Sequence, residues 1–203
     1  MKKILFALLI ISTHFVCAQQ VTDYKNRFTD NKSFDFPPAN PKYYKDINHY
    51  FDPFLGTWKY NNGNKTFIVT LWKETMRSVK DIENLYTVYY TDNIYGHYKM
   101  IQDYGMSNQQ LLYTSEINVT VTSTQWPSII YADATEPNVL DGHLYDINTN
   151  YPEWPLRGFL KMTINAGSSP VTAHWKVIDS EEKLSATTNY NFVIPKDITL
   201  TKQ

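Results

Sequence analysis

The chain has 203 residues, with 19 basic and 20 acidic side chains and a formal net charge of -1. This near-neutral balance argues against a nucleic-acid partner, which would require a basic patch. The length suits one domain behind an export signal, and the single cysteine, Cys17, rules out a disulfide framework.

The first 18 residues have the pattern of a secretory signal peptide. Lys2 and Lys3 form a positive n-region, residues 4–16 form a short apolar run, and Val16-Cys17-Ala18 fits a small-residue cleavage site. The run is too short for a membrane anchor, and the bulky Val16 disfavours a lipoprotein signal. We therefore expect an exported protein, periplasmic or secreted, whose mature chain has no cysteine and no transmembrane segment.

The region after the signal is predicted to start with little regular structure. Residues 19–40 are polar and interrupted by Pro37-Pro38, which indicates an extended or disordered leader. Asn40-Pro41 is typical of a helix start, and residues 42–51 would then form a short helix of about two turns. A single β-domain is expected over residues 41–203.

Strand signals follow in close order, as runs of β-branched and aromatic residues separated by turns. The first strands are predicted at residues 56–60, 66–76, 84–91, 97–102, 110–115 and 117–123. Asn61-Asn62-Gly63-Asn64 is a hairpin turn, because Asn and Gly tolerate positive φ. Asp92-Asn93 is expected to interrupt the strand predicted at residues 84–91, so residues 97–102 form another strand or the far arm of a bent one.

The second half of the chain begins with a stretch, residues 123–138, that is predicted to be irregular. Later strands are predicted at residues 143–147, 157–165, 173–178, 189–194 and 198–201. Turn signals recur regularly and no βαβ alternation is present, so the sequence predicts an all-β, antiparallel barrel of about 8 to 10 strands, with a sandwich as the alternative.

The stretch Phe54-Leu55-Gly56-Thr57-Trp58-Lys59-Tyr60 resembles the opening of a calycin, or lipocalin-type, barrel. With the signal peptide, the tyrosine-rich central hairpin and the closing residues 194–203, it looks like an uncharacterised, lipocalin-like family of exported Gram-negative bacterial proteins. The resemblance implies a calycin-type barrel preceded by a short helix, and no assigned activity. It also implies that Trp58 plugs a closed barrel end, with Lys202 across it in place of the usual arginine.

No catalytic constellation is recognisable in the sequence. A Gly-x-Ser-x-Gly elbow and a phosphate-binding glycine loop are absent, and His49, His97, His143 and His174 lack metal-ligand spacing. We therefore predict a non-enzymatic protein without metal or cofactor. A hydrolase would require at least two carboxylates or histidines that converge in a cleft.

The aromatic residues permit two kinds of binding. Inward-facing side chains of a small barrel either fill it or line a cavity, and the candidates are Trp72, Tyr86, Tyr89, Met162 and Trp175. In a hollow barrel they would hold a small apolar or amphipathic ligand. The alternative is a filled barrel that contacts a protein or a glycan, with loop residues Trp126 and Trp154, each followed by proline, at the rim.

Overall fold

The computed structural model describes residues 19–28, 38, 40–81, 83–116, 129–147, 156–179 and 192–203. These residues form eleven β-strands and two 3₁₀ turns, at Tyr24–Phe28 and Asp52–Phe54. The strands are β1 (Val21–Asp23), β2 (Tyr43–Lys45), β3 (Gly56–Asn62), β4 (Lys65–Lys80), β5 (Thr87–Gln102), β6 (Gln110–Thr114), β7 (Ile130–Glu136), β8 (Val139–Asp146), β9 (Leu156–Asn165), β10 (Thr172–Asp179) and β11 (Asp197–Lys202).

Eight of the strands close into an antiparallel barrel. Neighbours follow the order β5-β4-β3-β11-β10-β9-β8-β7, and β7 pairs with β5 to complete the ring. The predicted all-β antiparallel barrel is therefore confirmed, and the sandwich alternative is excluded. The β3–β4 hairpin turns where the sequence predicted, with Gly63 at φ 60°, a conformation that glycine adopts without strain.

Strand β5 organises the structure because it is long enough to pair with three strands along one edge. That edge pairs with β2 at Tyr90–Thr91, with β7 at residues 94–96 and with β6 at residues 99–102. The other edge pairs with β4. Strand β5 is therefore continuous through Asp92-Asn93, where an interruption had been expected.

Buried hydrogen bonds explain why these two polar residues stay within the strand. Asp92 accepts from the Tyr43 hydroxyl at 2.6 Å and from the Met76 amide at 3.1 Å. Asn93 donates to the Tyr131 hydroxyl at 3.1 Å. Buried polar groups are tolerated when their partners are supplied, and here the partners come from strands and layers that are remote in sequence.

The predicted short helix at residues 42–51 is wrong. Tyr43–Lys45 is a strand that lies between β1 and β5 in parallel pairing. Consecutive side chains of a strand point to opposite faces, and both faces are covered here, since Tyr43 and Tyr44 are both buried. Asp46 then accepts from the amides of Tyr50 and Phe51 and makes a turn into the 3₁₀ segment. Pairing with the β5 edge overrides the local helix signal.

The expectation of an extended or disordered leader also needs correction where the structure describes it. Val21–Asp23 pairs with β2, and the turn at Tyr24–Phe28 packs against the barrel. The Tyr24 ring lies 5.0 Å from the Phe51 ring in an edge-on contact, and Arg27 is only 7% exposed. This segment is part of the folded domain.

One strand was missed, because Ile130–Glu136 lies inside the stretch expected to be irregular. Ile130, Ala132 and Ala134 point into the barrel, and Tyr131 and Asp133 alternate with them, which is the period-two pattern of a half-buried strand. Of the strand predicted at residues 189–194, the described part, 192–194, is not a strand. The strand predicted at residues 117–123 lies outside the described residues.

Large side chains that meet across the barrel fill its interior. The Phe67 ring lies 6.0 Å from both the Trp175 ring and the Tyr98 ring. Trp58 and Trp175 are both fully buried, and Met162 packs within the same cluster. The strands alternate between this apolar interior and a more polar outer face.

Candidate functional site

One end of the barrel carries the predicted pairing of a tryptophan with a lysine. Trp58 and Lys202 are opposite each other in the β3–β11 register, and Lys202 Nζ lies 5.4 Å from the Trp58 ring centroid. Lys202 Nζ also donates to the Pro53 carbonyl at 2.7 Å, and Trp58 Nε1 donates to the Phe54 carbonyl at 2.7 Å. Burial lowers the pKa of Lys202. These contacts are those expected of a structural plug. The element just before β3 is the 3₁₀ turn Asp52–Phe54, where a helix was expected.

The five predicted ligand-binding residues do not line one cavity. Met162 and Trp175 are partners in the β9–β10 register and lie inside the packed core. Trp72 is on the opposite face of β4 from the core residues and stacks 5.2 Å from the His97 ring. Tyr89 makes an edge-on contact with Tyr44 at 5.5 Å, away from the barrel centre.

Tyr86 is half-buried and lies in the turn between β4 and β5, one residue before β5 begins. The loop residues Trp126 and Trp154 lie outside the described residues. The aromatic candidates are therefore spread over the core, one outer face and the β4–β5 hairpin, and no shared ligand site follows from them.

A serine and a histidine approach each other on the outer face but do not form a reactive pair. His97 Nδ1 lies 3.2 Å from Ser115 Oγ. Ser115 is almost completely buried, and its Oγ already accepts from the Tyr98 amide at 2.8 Å. Burial lowers the pKa of His97. A nucleophile needs access to its substrate, so this contact closes the end of β6 rather than serving catalysis.

Among the described residues, a groove of about 470 Å³ lies on the outer wall formed by β7, β8, β9 and β10. Two rows of side chains cross it, each set by the strand register. The first row is Tyr131, His143, Phe159 and Ile178, and the second is Asp133, Asp141 and Lys161.

The first row is unusually apolar for an outer face. Phe159 is 45% exposed and Ile178 is 51% exposed, and both belong to the groove lining. The Phe159 ring lies 5.2 Å from the His143 ring, so the two rings form one tilted surface. Exposed apolar area in a concavity is typical of a contact site.

The second row contains two carboxylates, and only that of Asp133 is hydrogen-bonded to described residues. Asp133 Oδ2 accepts from Arg27 at 2.6 Å, and Asp133 Oδ1 accepts from Asn93 at 2.5 Å. Asp141 and Lys161 are opposite each other in the β8–β9 register. Both are exposed, and neither makes a hydrogen bond or an ion pair with any described residue. Within the described part of the chain, one acceptor and one donor therefore face the groove without a partner.

Arg157 stabilises the uncharged form of His143 at the edge of the groove. Arg157 Nη2 lies 3.1 Å from Nε2 and 3.3 Å from Nδ1 of His143, and a guanidinium can only donate hydrogen bonds. Burial lowers the pKa of His143, and the charge of Arg157 lowers it further, although Asp133 opposes the shift. Arg157 Nε is buried and has no hydrogen-bond partner among the residues that the structure describes.

Sequence reasoning missed this groove because its members come from four strands. A signal was present in residues 157–165, where Phe159 stands on the polar side of an otherwise regular alternation. Ile178 does the same in β10. Apolar residues on the polar faces of two neighbouring strands would have indicated a surface patch, but the register that joins them to Tyr131 and Asp141 was not predictable.

The groove brings two carboxylates and a histidine together, which is what a hydrolase would require. Asp133 and Asp141 are opposite each other in the β7–β8 register, and His143 lies in the next row. However, both oxygens of Asp133 are bonded to Arg27 and Asn93. A carboxylate with this role can neither attack nor donate a proton readily. No group of three or more candidate metal ligands occurs among the described residues.

A family model described as a family of unknown function, DUF6705, matches residues 1–203, and the chain belongs to that family. No curated protein and no solved structure matches the chain. The expected uncharacterised family over the whole chain is thus found, whereas the lipocalin relationship and the Gram-negative origin stay predictions. Among the described residues, no helix has the length and apolar character needed to cross a membrane.

Proposed function

We propose that this family member is an exported, non-enzymatic binding module that holds a glycan on the outer wall of β7–β10. The observation that carries the proposal is the exposed Phe159 and Ile178 surface beside Asp141 and Lys161, which have no partner among the described residues, within one groove. Apolar rings supply contact area for the C–H face of a sugar, and a free acceptor and donor supply partners for its hydroxyls.

The packed interior supports an outer site over an inner one. A ligand inside the barrel would have to displace Phe67, Trp175 or Tyr98, whose rings meet there. Interiors at native density leave little room without such a displacement. The small apolar ligand within a hollow barrel, which the aromatic strands suggested, is therefore the less favoured of the two binding functions.

The lining chemistry favours a glycan over a purely apolar molecule or an extended peptide. An apolar molecule would bury Asp141 and Lys161 without replacing their hydrogen bonds to water, which is costly. An extended peptide usually adds to a free sheet edge, but β8 and β9 are paired on both sides along the groove. A ligand that offers its own apolar face and hydroxyl groups meets both conditions.

The proposed location outside the cytoplasm rests on the signal-peptide pattern at residues 1–18. An exported, filled barrel with a glycan surface would act at the cell envelope or outside the cell. Non-enzymatic action is part of the proposal because Asp133, one of the two facing carboxylates, is held by Arg27 and Asn93.

The test is a glycan array probed with residues 19–203, followed by calorimetry on any hit. Phe159→Ala should weaken binding by about tenfold or more, because removing a central aromatic contact has an effect of that size. Leu111→Ala is the matched control, since Leu111 is an exposed strand residue outside the groove lining. The absence of any glycan hit, or equal losses for both variants, would refute the proposal. Release of sugar fragments during incubation would refute its non-enzymatic part.

A further inference from the structure

Three carboxylates near the groove lie on β7 and β8. Asp133 is paired with Arg27, with Oδ2 and Nη2 2.6 Å apart, so this pair adds no net charge. Asp141 is exposed on β8, and Glu136 is exposed at the end of β7, outside the groove lining. This half of the outer wall therefore offers acceptors to a ligand and repels an acidic group.

Two lysines are directly opposite each other on β9 and β10. Lys161 and Lys176 are register partners, and both are exposed. Their Cβ atoms are then about 5 Å apart, and like charges in this position are destabilising. Asp197, opposite Lys176 on β11, is already hydrogen-bonded to His174 at 2.7 Å, and neither lysine forms an ion pair within the described part of the chain. An anionic group between the two ammonium groups would offset their repulsion.

A third cation lies on β9 at the other end of the aromatic surface. Arg157 is two residues from Phe159, and its Cζ lies 5.8 Å from the Phe159 ring centroid. Arg157 Nη2 lies 3.1 Å from His143 Nε2, and burial and the charge of Arg157 lower the pKa of His143, so that ring is uncharged at neutral pH. The charge of Arg157 is therefore not offset by this contact. Phe159 thus lies between Arg157 and Lys161, each about 7 Å away along the strand.

We infer that the glycan held by this groove is an acidic one, whose carboxylate or sulfate group lies between Lys161 and Lys176 while a sugar ring covers Phe159. The inference deepens the proposed glycan function and rests on it. Phe159 and Ile178 are each two residues, about 7 Å, along their strands from the two lysines. One ligand can therefore contact the apolar pair and the cationic pair together. Its neutral part extends towards β8, where Asp141 accepts hydrogen bonds from hydroxyl groups.

The arrangement favours a single acidic group over a polyanion. The row that contains the two lysines ends with Asp141 on β8 and with Asp197 on β11. A second acidic group along this row would therefore approach a carboxylate. Nucleic acids and densely sulfated chains carry closely spaced charges, whereas an acidic sugar between neutral sugars contacts the two cations and avoids both carboxylates.

Calorimetric titration of residues 19–203 with matched oligosaccharides tests the acidic group. One series contains only glucose, in the second series one glucose is replaced by glucuronic acid, and in the third series that glucose carries a sulfate. The acidic members should bind about tenfold more tightly than the neutral ones, which is the effect of a hydrogen bond to a charged group. This gain should shrink several-fold between 0.1 M and 1 M salt, because the Debye length falls from about 10 Å to about 3 Å.

The ratio of acidic to neutral affinity separates the roles of the charged residues. Lys161→Gln and Lys176→Gln should each lower that ratio several-fold. Asp141→Asn should raise it, since the substitution removes a like charge near the acidic group. Lys65→Gln is the control and should leave the ratio unchanged, because Lys65 is exposed on β4 and outside the groove. Circular dichroism and urea midpoints establish that every variant is folded before it is titrated.

The outcomes distinguish the inference from the proposed function. Equal affinities for the neutral and acidic series, or a ratio that both lysine variants leave unchanged, would overturn the acidic ligand and leave a glycan module standing. No binding by any of the three series would overturn both. Binding of single-stranded DNA more tightly than any sugar, with no loss in Phe159→Ala, would indicate anion binding without a glycan and would also overturn both.

Discussion

The buried pair of Arg27 and Asp133 makes the N-terminal segment part of the barrel, and Arg27→Met tests this directly. The two side chains are 7% and 17% exposed, with Nη2 and Oδ2 2.6 Å apart. Arg27 also donates to the Tyr24 hydroxyl at 3.1 Å. The substitution keeps most of the side-chain volume but leaves the Asp133 charge buried without its cation, beside Asn93 and the Tyr24 hydroxyl. Removing one partner of a buried ion pair costs about 3 to 5 kcal/mol.

Urea unfolding followed by tryptophan fluorescence measures this loss. At a slope of about 2 to 3 kcal/mol per M, a loss of about 4 kcal/mol lowers the urea midpoint by about 1.5 M. Arg77→Met is the control, because Arg77 and Glu74 form a pair at 3.2 Å with 36% and 43% exposed side chains. An exposed pair contributes at most about 1 kcal/mol, to which the stacking of Arg77 on Tyr95 adds about as much again.

The double variant Arg27→Met, Asp133→Leu adds a second criterion. It should be more stable than Arg27→Met alone, because it removes the unpaired buried carboxylate. The reasoning is refuted if Arg27→Met and Arg77→Met lower the midpoint equally. It is refuted also if deletion of residues 19–28 leaves the midpoint unchanged.

Three further predictions concern the core and the titrating groups. Trp175→Ala should lower the free energy of unfolding by about 3 to 5 kcal/mol, because it leaves a cavity in a filled barrel. Trp72→Ala, on the outer face, should cost clearly less, and equal losses in urea unfolding would argue against a packed interior. Burial raises the pKa of Tyr24 far above its ordinary value of 10.0, so the unfolded chain releases this proton first. Stability should then be fully present below pH 10 and fall above it, and Tyr24→Phe should reduce that fall; an identical alkaline pH profile for the variant would contradict this. Burial and Arg157 lower the pKa of His143 from 6.5, so its contribution to stability is present above pH 6.5 and is lost as the pH falls through the lowered value. Arg157→Met should raise the midpoint of the His143 NMR titration, and no change would contradict the contact.

The elements that the sequence predicted best are those whose signal is local. The hairpin at Gly63 depends on turn chemistry alone, and the alternation in β9 and β10 depends on which residues of one strand face the core. Such signals need no knowledge of a partner strand. The barrel class followed from many short strands without helices between them, and the closure between β5 and β7 completes it.

The elements that were wrong depend on distant partners. Tyr43–Lys45 is a strand only because β5 offers an edge at Tyr90–Thr91. Asp92 stays within β5 only because the Tyr43 hydroxyl and the Asp46 backbone amide donate to its carboxylate. Local propensity opposed both outcomes, and tertiary context overrode it. The groove was beyond sequence reasoning for the same reason, since its rows exist only through the register of four strands.

The question of a filled or a hollow barrel shows why alternation alone could not locate the site. Inward positions are apolar in either case, so the period-two pattern is the same. What decides is how large and small residues are matched across the interior. A Cβ at Gly96 would lie 2.9 Å from the Thr70 carbonyl oxygen on β4, and one at Gly158 would lie 2.6 Å from Val177 Cγ1 on β10, so the neighbouring strands already occupy the space at these glycines. Glycine at an inward position would suggest space when read from sequence, yet here it marks contact. Because the large rings of Trp175 and Phe67 meet inside the barrel, the proposed binding site is on the outer wall, where Phe159 and Ile178 break the polar pattern.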